Sequence, residues 1–292
     1  MADDQLTLSE RIGDFVESRF HGVRSVADRH WRARDDARGD IAYNLSGHVF
    51  TDQLDAQSYW FRHRNAVFLD AAARYGVEEV LVDVGGGVGT VTQAFVAAGR
   101  PALVVEPLAE GAQAALRRGL HVLEASLQQT EPGDGALGFV GMFDVLEHLE
   151  DDRGALALIN GALRPGGLFF ITVPAHKWLW SNQDLRAGHF RRYTRRSLRG
   201  ALRSAGFEVA EMTHLFAFLT PAVFALRAAP SAFGRRKLSD ARDAPSRSAY
   251  KPPGAVTGLL NKLCAWEAGR VARGKSIPFG TSLFAVARKP AT

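Results

Sequence analysis

From Gly76 onward the chain alternates short apolar runs with longer stretches of helical spacing. The runs at 79–84, 102–106, 120–124, 136–143, 168–173, 207–213 and 281–288 predict strands. Helices are expected between them at 89–98, 108–118, 150–163 and 195–205. Such alternation predicts an α/β fold: a doubly wound, mostly parallel sheet of seven strands with crossover helices, its last two strands antiparallel. Upstream, Leu8, Ile12, Phe15, Val16, Phe20 and Val23 lie near helical spacing and predict a helix within 6–30. Residues 31–50 are polar and irregular, and a second helix over 54–75 carries Trp60, Phe61, Val67, Phe68, Ala72 and Tyr75. Before the last strand, an insertion predicts a hydrophobic helix near 214–228, a polar linker at 231–254 and an amphipathic helix at 255–272 with Leu259, Leu260, Leu263 and Trp266. The chain thus divides into an N-terminal helical extension (1–50), a core (51–213), a helical insertion or lid (214–277) and the final core strand (278–292).

Composition narrows the class. The 292 residues are 46% hydrophobic and 23% charged, ordinary for a soluble globular protein. The single cysteine, Cys264, excludes an internal disulfide and a multi-cysteine zinc cluster. No signal-peptide pattern opens the chain, and the apolar stretch Leu215–Leu226, interrupted by Pro221, is too short to span a bilayer. A cytoplasmic protein is expected, with room for peripheral contact at the inner face of a membrane. Net charge is +5, and seven arginines between Leu185 and Phe207 face no acid in that segment. The run reads either as a solvated helix face or as a site for an anionic partner.

The stretch Val80–Thr90 carries the strongest chemical signal. An apolar run ends in Asp83, and Gly85, Gly86, Gly87 and Gly89 follow. Glycines there open backbone angles closed to other residues and let a ligand approach the main chain. Such a loop at a strand's carboxyl end is where open α/β sheets bind nucleotide-like ligands. The dinucleotide spacing Gly-x-Gly-x-x-Gly fails, because its third glycine falls on Thr90 or Thr92. An acid before the first glycine would repel a pyrophosphate but suits a ligand carrying an ammonium. Glu106, ending the next strand, can accept hydrogen bonds from two ribose hydroxyls, an arrangement that nicotinamide enzymes share.

The loop resembles motif I of class I S-adenosylmethionine-dependent methyltransferases. The fourth strand, Phe143-Asp144-Val145-Leu146-Glu147-His148-Leu149-Glu150-Asp151-Asp152, the turn Arg164-Pro165-Gly166-Gly167, the segment 173–194 and the end 278–290 resemble a bacterial subgroup of that family. The resemblance covers roughly 57–290 and implies S-adenosylmethionine as cofactor, with Asp83, Gly85, Gly87, Gly89, Glu106 and Asp144 lining its site. Ser126, with Leu127 as an apolar wall, stands where the family often places an acid for the adenine. The implied reaction is methylation, read here as O-methylation of a small-molecule, sugar or lipid-linked acceptor in bacterial secondary or cell-envelope metabolism.

Methyl transfer needs placement and, for a hydroxyl, a base. His148 is the leading candidate because imidazole titrates near neutrality, with His189 and His176 as rivals. Trp178, Trp180, Arg191, Arg192 and Tyr193 are candidate acceptor contacts. Asp144, Glu147 and His148 form Asp-x-x-Glu-His, similar to the Glu-x-x-Glu-His of metal-using methyltransferases; a divalent ion is admitted but not expected. Phe216, Phe218, Leu219, Val223, Phe224 and Leu226, near Arg227 and Arg235–Lys237, suit either a lid helix packed on the core or an interfacial helix. Two other classes stay open: a nicotinamide-dependent oxidoreductase, and a non-catalytic cofactor-binding or nucleic-acid-binding module.

Overall fold

The computed structural model describes residues 7–35, 58–232 and 254–291. The first residues of the helix expected from 54, most of the polar stretch 31–50, nearly all of the linker 231–254 and the basic cluster Arg235–Lys237 lie outside the described residues.

Among the described residues, nine strands form one sheet in the order β1-β2-β5-β4-β3-β6-β7-β9-β8. They are β1 (Val23–Ala27), β2 (His30–Ala33), β3 (Leu81–Val84), β4 (Ala102–Val105), β5 (Val122–Glu124), β6 (Leu137–Phe143), β7 (Leu163–Pro174), β8 (Glu208–Leu215) and β9 (Ser282–Arg288). Strands β5, β4, β3, β6 and β7 run parallel, and β9 lies antiparallel between β7 and β8. The seven strands expected from the apolar runs are all present. All four crossover helices are also present: α3 (Thr90–Ala97), α4 (Ala109–Arg117), α6 (Asp152–Ala162) and α8 (Arg195–Ser204). A short α5 (Leu127–Thr130) and α7 (Asn182–Ala187) fall within loops.

Alternation along each strand feeds two cores. Val82, Val84, Leu103 and Val105 face α1 (Leu8–Arg19), α6 and α8, which contribute Ile12, Val16, Leu156, Ile159, Leu198 and Leu202. Leu81, Phe139, Phe170 and Phe284 face the other way, toward Phe68 of α2 (Tyr59–Arg74), Phe95 of α3 and Val271 of α11 (Gly254–Ala272).

The N-terminal helix is shorter than its spacing predicts. It stops at Arg19, and the chain turns into the hairpin β1–β2, whose inner strand pairs in parallel with β5. The extension is therefore part helix and part sheet, not helical throughout. Two features enforce the change. A Cβ at Gly22 would sit 2.1 Å from the Gln129 carbonyl, so the chain passes too close to α5 for a helix to continue. Trp31 is buried in the core, and His30 and Arg32 both bind Glu124 at the end of β5 (2.9 and 2.8 Å).

The insertion also departs from expectation. Residues 214 and 215 finish β8, and Phe216, with φ +60°, turns the chain. The helical stretch begins at α9 (Thr220–Val223), passes through a π-turn at Phe224–Ala228 and ends as α10 (Ala229–Ala232). Phe216 stacks on Trp60 with ring centres 3.8 Å apart, so it belongs to the core, not to an interfacial helix. In α11 the inward positions are Cys264, Glu267 and Val271, whereas Leu259 and Trp266 face outward. Its apolar residues thus do not form the inward stripe that an amphipathic helix normally buries.

Glu267 is fully buried and accepts hydrogen bonds from the backbone N–H groups of Phe216 (2.6 Å) and Ala217 (2.9 Å), with the His63 ring at 2.7 Å. One carboxylate thus ties α11 to α2 and to the turn after β8. Replacing Glu267 with alanine strands two buried donors, and the expected loss is about 3 kcal/mol, or roughly 6–12 °C in melting temperature. Glu267→Gln, which keeps one acceptor, should lose less; thermal melts of both variants check the order.

Candidate active site

After Val84 the chain turns through Gly85 (φ +68°), Gly87 (φ +57°) and Gly89 (φ +78°) into α3. All three angles are left-handed, which glycine adopts without strain. A Cβ on Gly85 would lie 2.7 Å from Val145, and one on Gly89 would lie 2.3 Å from Leu120. Gly89 is buried where α3 packs on the sheet, with Leu120 against it. Asp83 is also buried. It is 1% exposed and accepts from the Thr92 hydroxyl at 2.8 Å. Burial pushes its carboxyl up to about 6, against the opposing effect of that hydroxyl and of Arg64. Its hydrogen bond to Thr92 ties the end of β3 to α3.

Glu106 follows β4 and accepts from the Gly87 N–H (2.9 Å) and the Leu108 N–H (2.8 Å). It joins the glycine loop to the next crossover. Burial pushes its carboxyl up to about 7, opposed by those two N–H groups. Ser126 gives its oxygen to the Gln129 N–H and its own N–H to the Gln129 side chain, capping α5. Leu127 packs into the core. The adenine contact expected of this pair is thus not built from free polar atoms.

Arg64 was missed in the sequence, where it reads as one more basic position on an amphipathic helix. The structure buries its guanidinium, 9% exposed, in an ion pair with Asp144, whose other oxygen accepts from the Thr172 hydroxyl at 3.1 Å. The Arg64 Nε–H is buried without a hydrogen-bond partner among the described residues. A buried cation with an unused donor, beside the glycine loop, fits the carboxylate of an amino-acid ligand. Asn65, next in α2, donates to the Thr90 carbonyl and holds that helix against α3 (3.2 Å).

Beyond β6, a tight turn carries Glu147 and His148. Glu147 is 1% exposed, and its Oε2 has no hydrogen-bond partner among the described residues. Burial, then the neighbouring Asp144 carboxylate, push its carboxyl well above the ordinary range. Opposite stands the segment after β7, organised by Asp184. This buried carboxylate caps α7 through Ser181, binds Arg192 with both oxygens (2.7 and 3.0 Å) and accepts from His189 Nδ1 at 2.9 Å. Burial raises its pKa, but the bonds from His189 and Arg192 outweigh this and hold it below the usual value. A charged carboxylate only accepts, so Nδ1 of His189 is the donor in that bond and Nε2 is the ring nitrogen it leaves uncommitted.

Ligand atoms of Glu147, His148 and His189 lie within 4.8 Å of one another, and the two imidazoles meet edge to face at 4.6 Å. The trio that the fold assembles therefore differs from Asp144, Glu147 and His148: Asp144 is taken by Arg64, and His189 stands in its place. One carboxylate and two imidazoles could hold a divalent ion.

The predicted acceptor contacts divide. Arg192 is spent on Asp184 and the Ala175 carbonyl, and Arg191 on Asp152 (2.9 Å) and the Glu150 carbonyl (2.7 Å). Tyr193 is buried and donates to Asp152 at 2.8 Å. These three pin the segment in place through Asp152, Asp184 and two backbone carbonyls. Trp178 is 52% exposed, stacks on His176 and meets Phe224 edge to face at 5.6 Å; Trp180 is half-buried. His176 in turn stacks on His214, whose pKa burial lowers to about 4.

Residues 55–212 match the methyltransferase domain family. Among curated relatives, an S-adenosylmethionine-dependent methyltransferase of Mycolicibacterium smegmatis, so named as probable, is 28% identical over 60% of this chain and 69% of its own length. A protein of the same designation from Mycobacterium tuberculosis is 28% identical over 59% of this chain and 64% of its own length, a little under two thirds. Among solved structures, a chain from the Haloferax volcanii complex of the Trm112 activator with a methyltransferase superposes with a TM-score of 0.50. It is 19% identical, over 77% of this chain and 89% of that one. With a glycine loop, a ribose-competent acid and a carboxylate-competent arginine on one sheet edge, the chain belongs to the methyltransferase domain family, among the class I enzymes that use S-adenosylmethionine.

Proposed function

We propose that the protein methylates a hydroxyl of a small, sugar or lipid-linked acceptor, with His189 as the base. S-Adenosylmethionine, when bound, supplies an electrophilic methyl carbon on its sulfonium. The chain's own residues must supply placement and a destination for the hydroxyl proton. Arg64 would hold the methionyl carboxylate and Glu106 the ribose hydroxyls, with the Gly85–Gly87 backbone between them. His189 Nε2 would take the proton, and Asp184 would stabilise the imidazolium that results. His148, at the edge of His189, would wall the acceptor. The single observation carrying this reading is the Asp184–His189 pair aimed across the cleft at Glu147 and His148.

The unpartnered Glu147 oxygen favours a second reading, in which Glu147, His148 and His189 hold a divalent ion that lowers the hydroxyl's pKa. The two separate cleanly. Activity that survives excess chelator supports the base, whereas loss on chelation with recovery on adding Mg²⁺ or Mn²⁺ supports the ion.

His189→Ala should lower kcat by about 10²–10⁴, the usual worth of a general base, with the donor KM little changed. A kcat near wild type would remove His189 from the chemistry. For the donor, Arg64→Ala should raise KM by roughly tenfold or more, the worth of a charged hydrogen bond, and leave the acceptor KM nearly constant.

Glu106 also sets a pH dependence. Its raised pKa means that the free protein takes up a proton near pH 7, whereas a ribose-accepting carboxylate must be charged. Donor affinity should therefore fall as pH drops below about 7, toward tenfold per unit at the limit. The free fold behaves oppositely. Raised folded-state values at Asp83 and Glu106 contribute stability that is complete near pH 4 and is lost as pH rises through 6–7. Melting curves with and without the demethylated product should thus diverge more at pH 8 than at pH 6. A gap independent of pH, or one that Glu106→Gln leaves sloping, would contradict the assignment.

A further inference from the structure

Large exposed apolar side chains are concentrated in the second half of the sequence. Of ten among the described residues, nine lie between Trp178 and Phe279, and only Val26 lies elsewhere. Phe224 and Leu226 stand on the π-turn after α9, Val256, Leu259 and Trp266 on the outer side of α11, and Phe279 before β9. The exposure is large where it matters: Leu226 is 64% exposed, Leu259 58% and Trp266 56%. Isolated exposed apolar residues need no explanation, but a concentration of them marks an interaction surface.

The charges on these segments have one sign. Residues 175–207, 212–232 and 254–291 contain two carboxylates, Asp184 and Glu267, which are 1% and 0% exposed. Every other charge on them is cationic. On α11, positions 259, 262, 266 and 270 follow helical spacing and read Leu, Lys, Trp, Arg, and Arg273 comes just after the helix end. The Arg270 guanidinium lies over the Trp266 ring, 5.5 Å from its centre. A stripe of aliphatic, indole and cationic groups matches the depth profile of a bilayer interface, where indoles sit at headgroup level and long basic side chains reach anionic phosphates. No helix among the described residues is long and apolar enough to cross a membrane.

The pieces are joined. Trp178 meets Phe224, the Asn182 N–H donates to Ser231 (3.4 Å), and Glu267 locks α11 to the residues that precede α9. Both segments are therefore tied to the residues that follow β7 and β8.

We propose that the face formed by the π-turn after α9 and the outer side of α11 docks on an anionic lipid bilayer, seating Leu226, Leu259 and Trp266 at the headgroup boundary. The docking does not depend on the acceptor assignment. Full-length protein would be co-sedimented with phosphatidylcholine vesicles and with vesicles of phosphatidylcholine and phosphatidylglycerol in equal parts. Binding is expected to the second set, weakened by salt. The double substitution Leu226→Ser with Trp266→Ser should reduce binding on the order of tenfold or more, and Lys262→Glu with Arg273→Glu should do the same. Val26→Ser, on the distant hairpin, should change nothing. All substituted residues are exposed, in α11, the turn that follows it, the π-turn or β1, and melting curves check that each variant folds. No binding to anionic vesicles overturns the proposal, as does equal binding to neutral ones or binding that survives loss of the apolar pair. A salt-stable dimer in solution that those substitutions dissociate, without vesicle binding, would assign the face to a second copy instead. Donor binding is measured separately by calorimetry, so a failure here leaves the methyltransferase reading intact.

Discussion

The site depends on how the strands leave the carboxyl edge of the sheet. At that edge the ladder ends, and the chain must turn sharply to reach a crossover. Four exits use a left-handed residue at or just past the strand end: Gly85 after β3, Asp144 after β6, His176 after β7 and Phe216 after β8. Glycine does this freely, but each non-glycine residue costs on the order of 1 kcal/mol or more. The structure offsets each cost locally. Asp144 is held by Arg64 and Thr172, His176 lies in a stack with Trp178 and His214 and donates its N–H to the Tyr193 carbonyl, and Glu267 captures the N–H groups of Phe216 and Ala217. The groups that secure the turns are also those that shape the cleft.

Buried acids around this edge behave differently according to their donors. Asp184 is surrounded by His189, Arg192 and the Ser181 cap, and its pKa is lowered despite burial. Glu147 is equally buried, faces Asp144 and has an oxygen with no donor among the described residues, and its pKa rises. Burial alone raises both; hydrogen bonding to the charged form decides which stays ionised. The result is a carboxylate beside His189 whose charged form is favoured by its donors and, at Glu147, one whose charged form is disfavoured. That is an asymmetric environment in which one imidazole nitrogen is committed and the other is free to act. Sulfonium chemistry asks for little more, because the leaving group needs no proton.

Much of this was legible in the sequence. The apolar runs located all seven core strands, since buried parallel strands read as nearly continuous hydrophobic segments. The glycine loop and Glu106 were legible because their chemistry is local. What was not legible is tertiary. Phe20 and Val23 satisfy a helical period by coincidence, and only the approach of Gly22 to the Gln129 carbonyl reveals the turn into a hairpin. Arg64 acquires meaning only when β6 brings Asp144 to it. His189 joins Glu147 and His148 because Asp184 folds its segment back, a contact between residues about 40 apart in sequence. The arginines 191 and 192 looked available for an anion because their partners, Asp152 and Asp184, carry no pattern that marks them as anchors.

Helix α11 shows why composition alone misdirects. Its Leu, Trp and Val residues suggest an inward apolar stripe, yet between the inward Cys264 and Val271 sits a glutamate whose hydrogen bonds add to apolar burial as a link to the core. With the acid satisfied inside, Leu259 and Trp266 are left outside, and the remaining charges on α11, Lys262 and Arg270, are cationic. A helix held by hydrogen bonds can present a greasy outer face without loosening from its domain, because those bonds do not compete with lipid for apolar surface. The strained turn at Phe216, the buried carboxylate of Glu267 and the exposed indole of Trp266 are therefore parts of one arrangement. The carboxylate that stabilises the turn also frees the opposite side of its own helix for contact with something other than the protein.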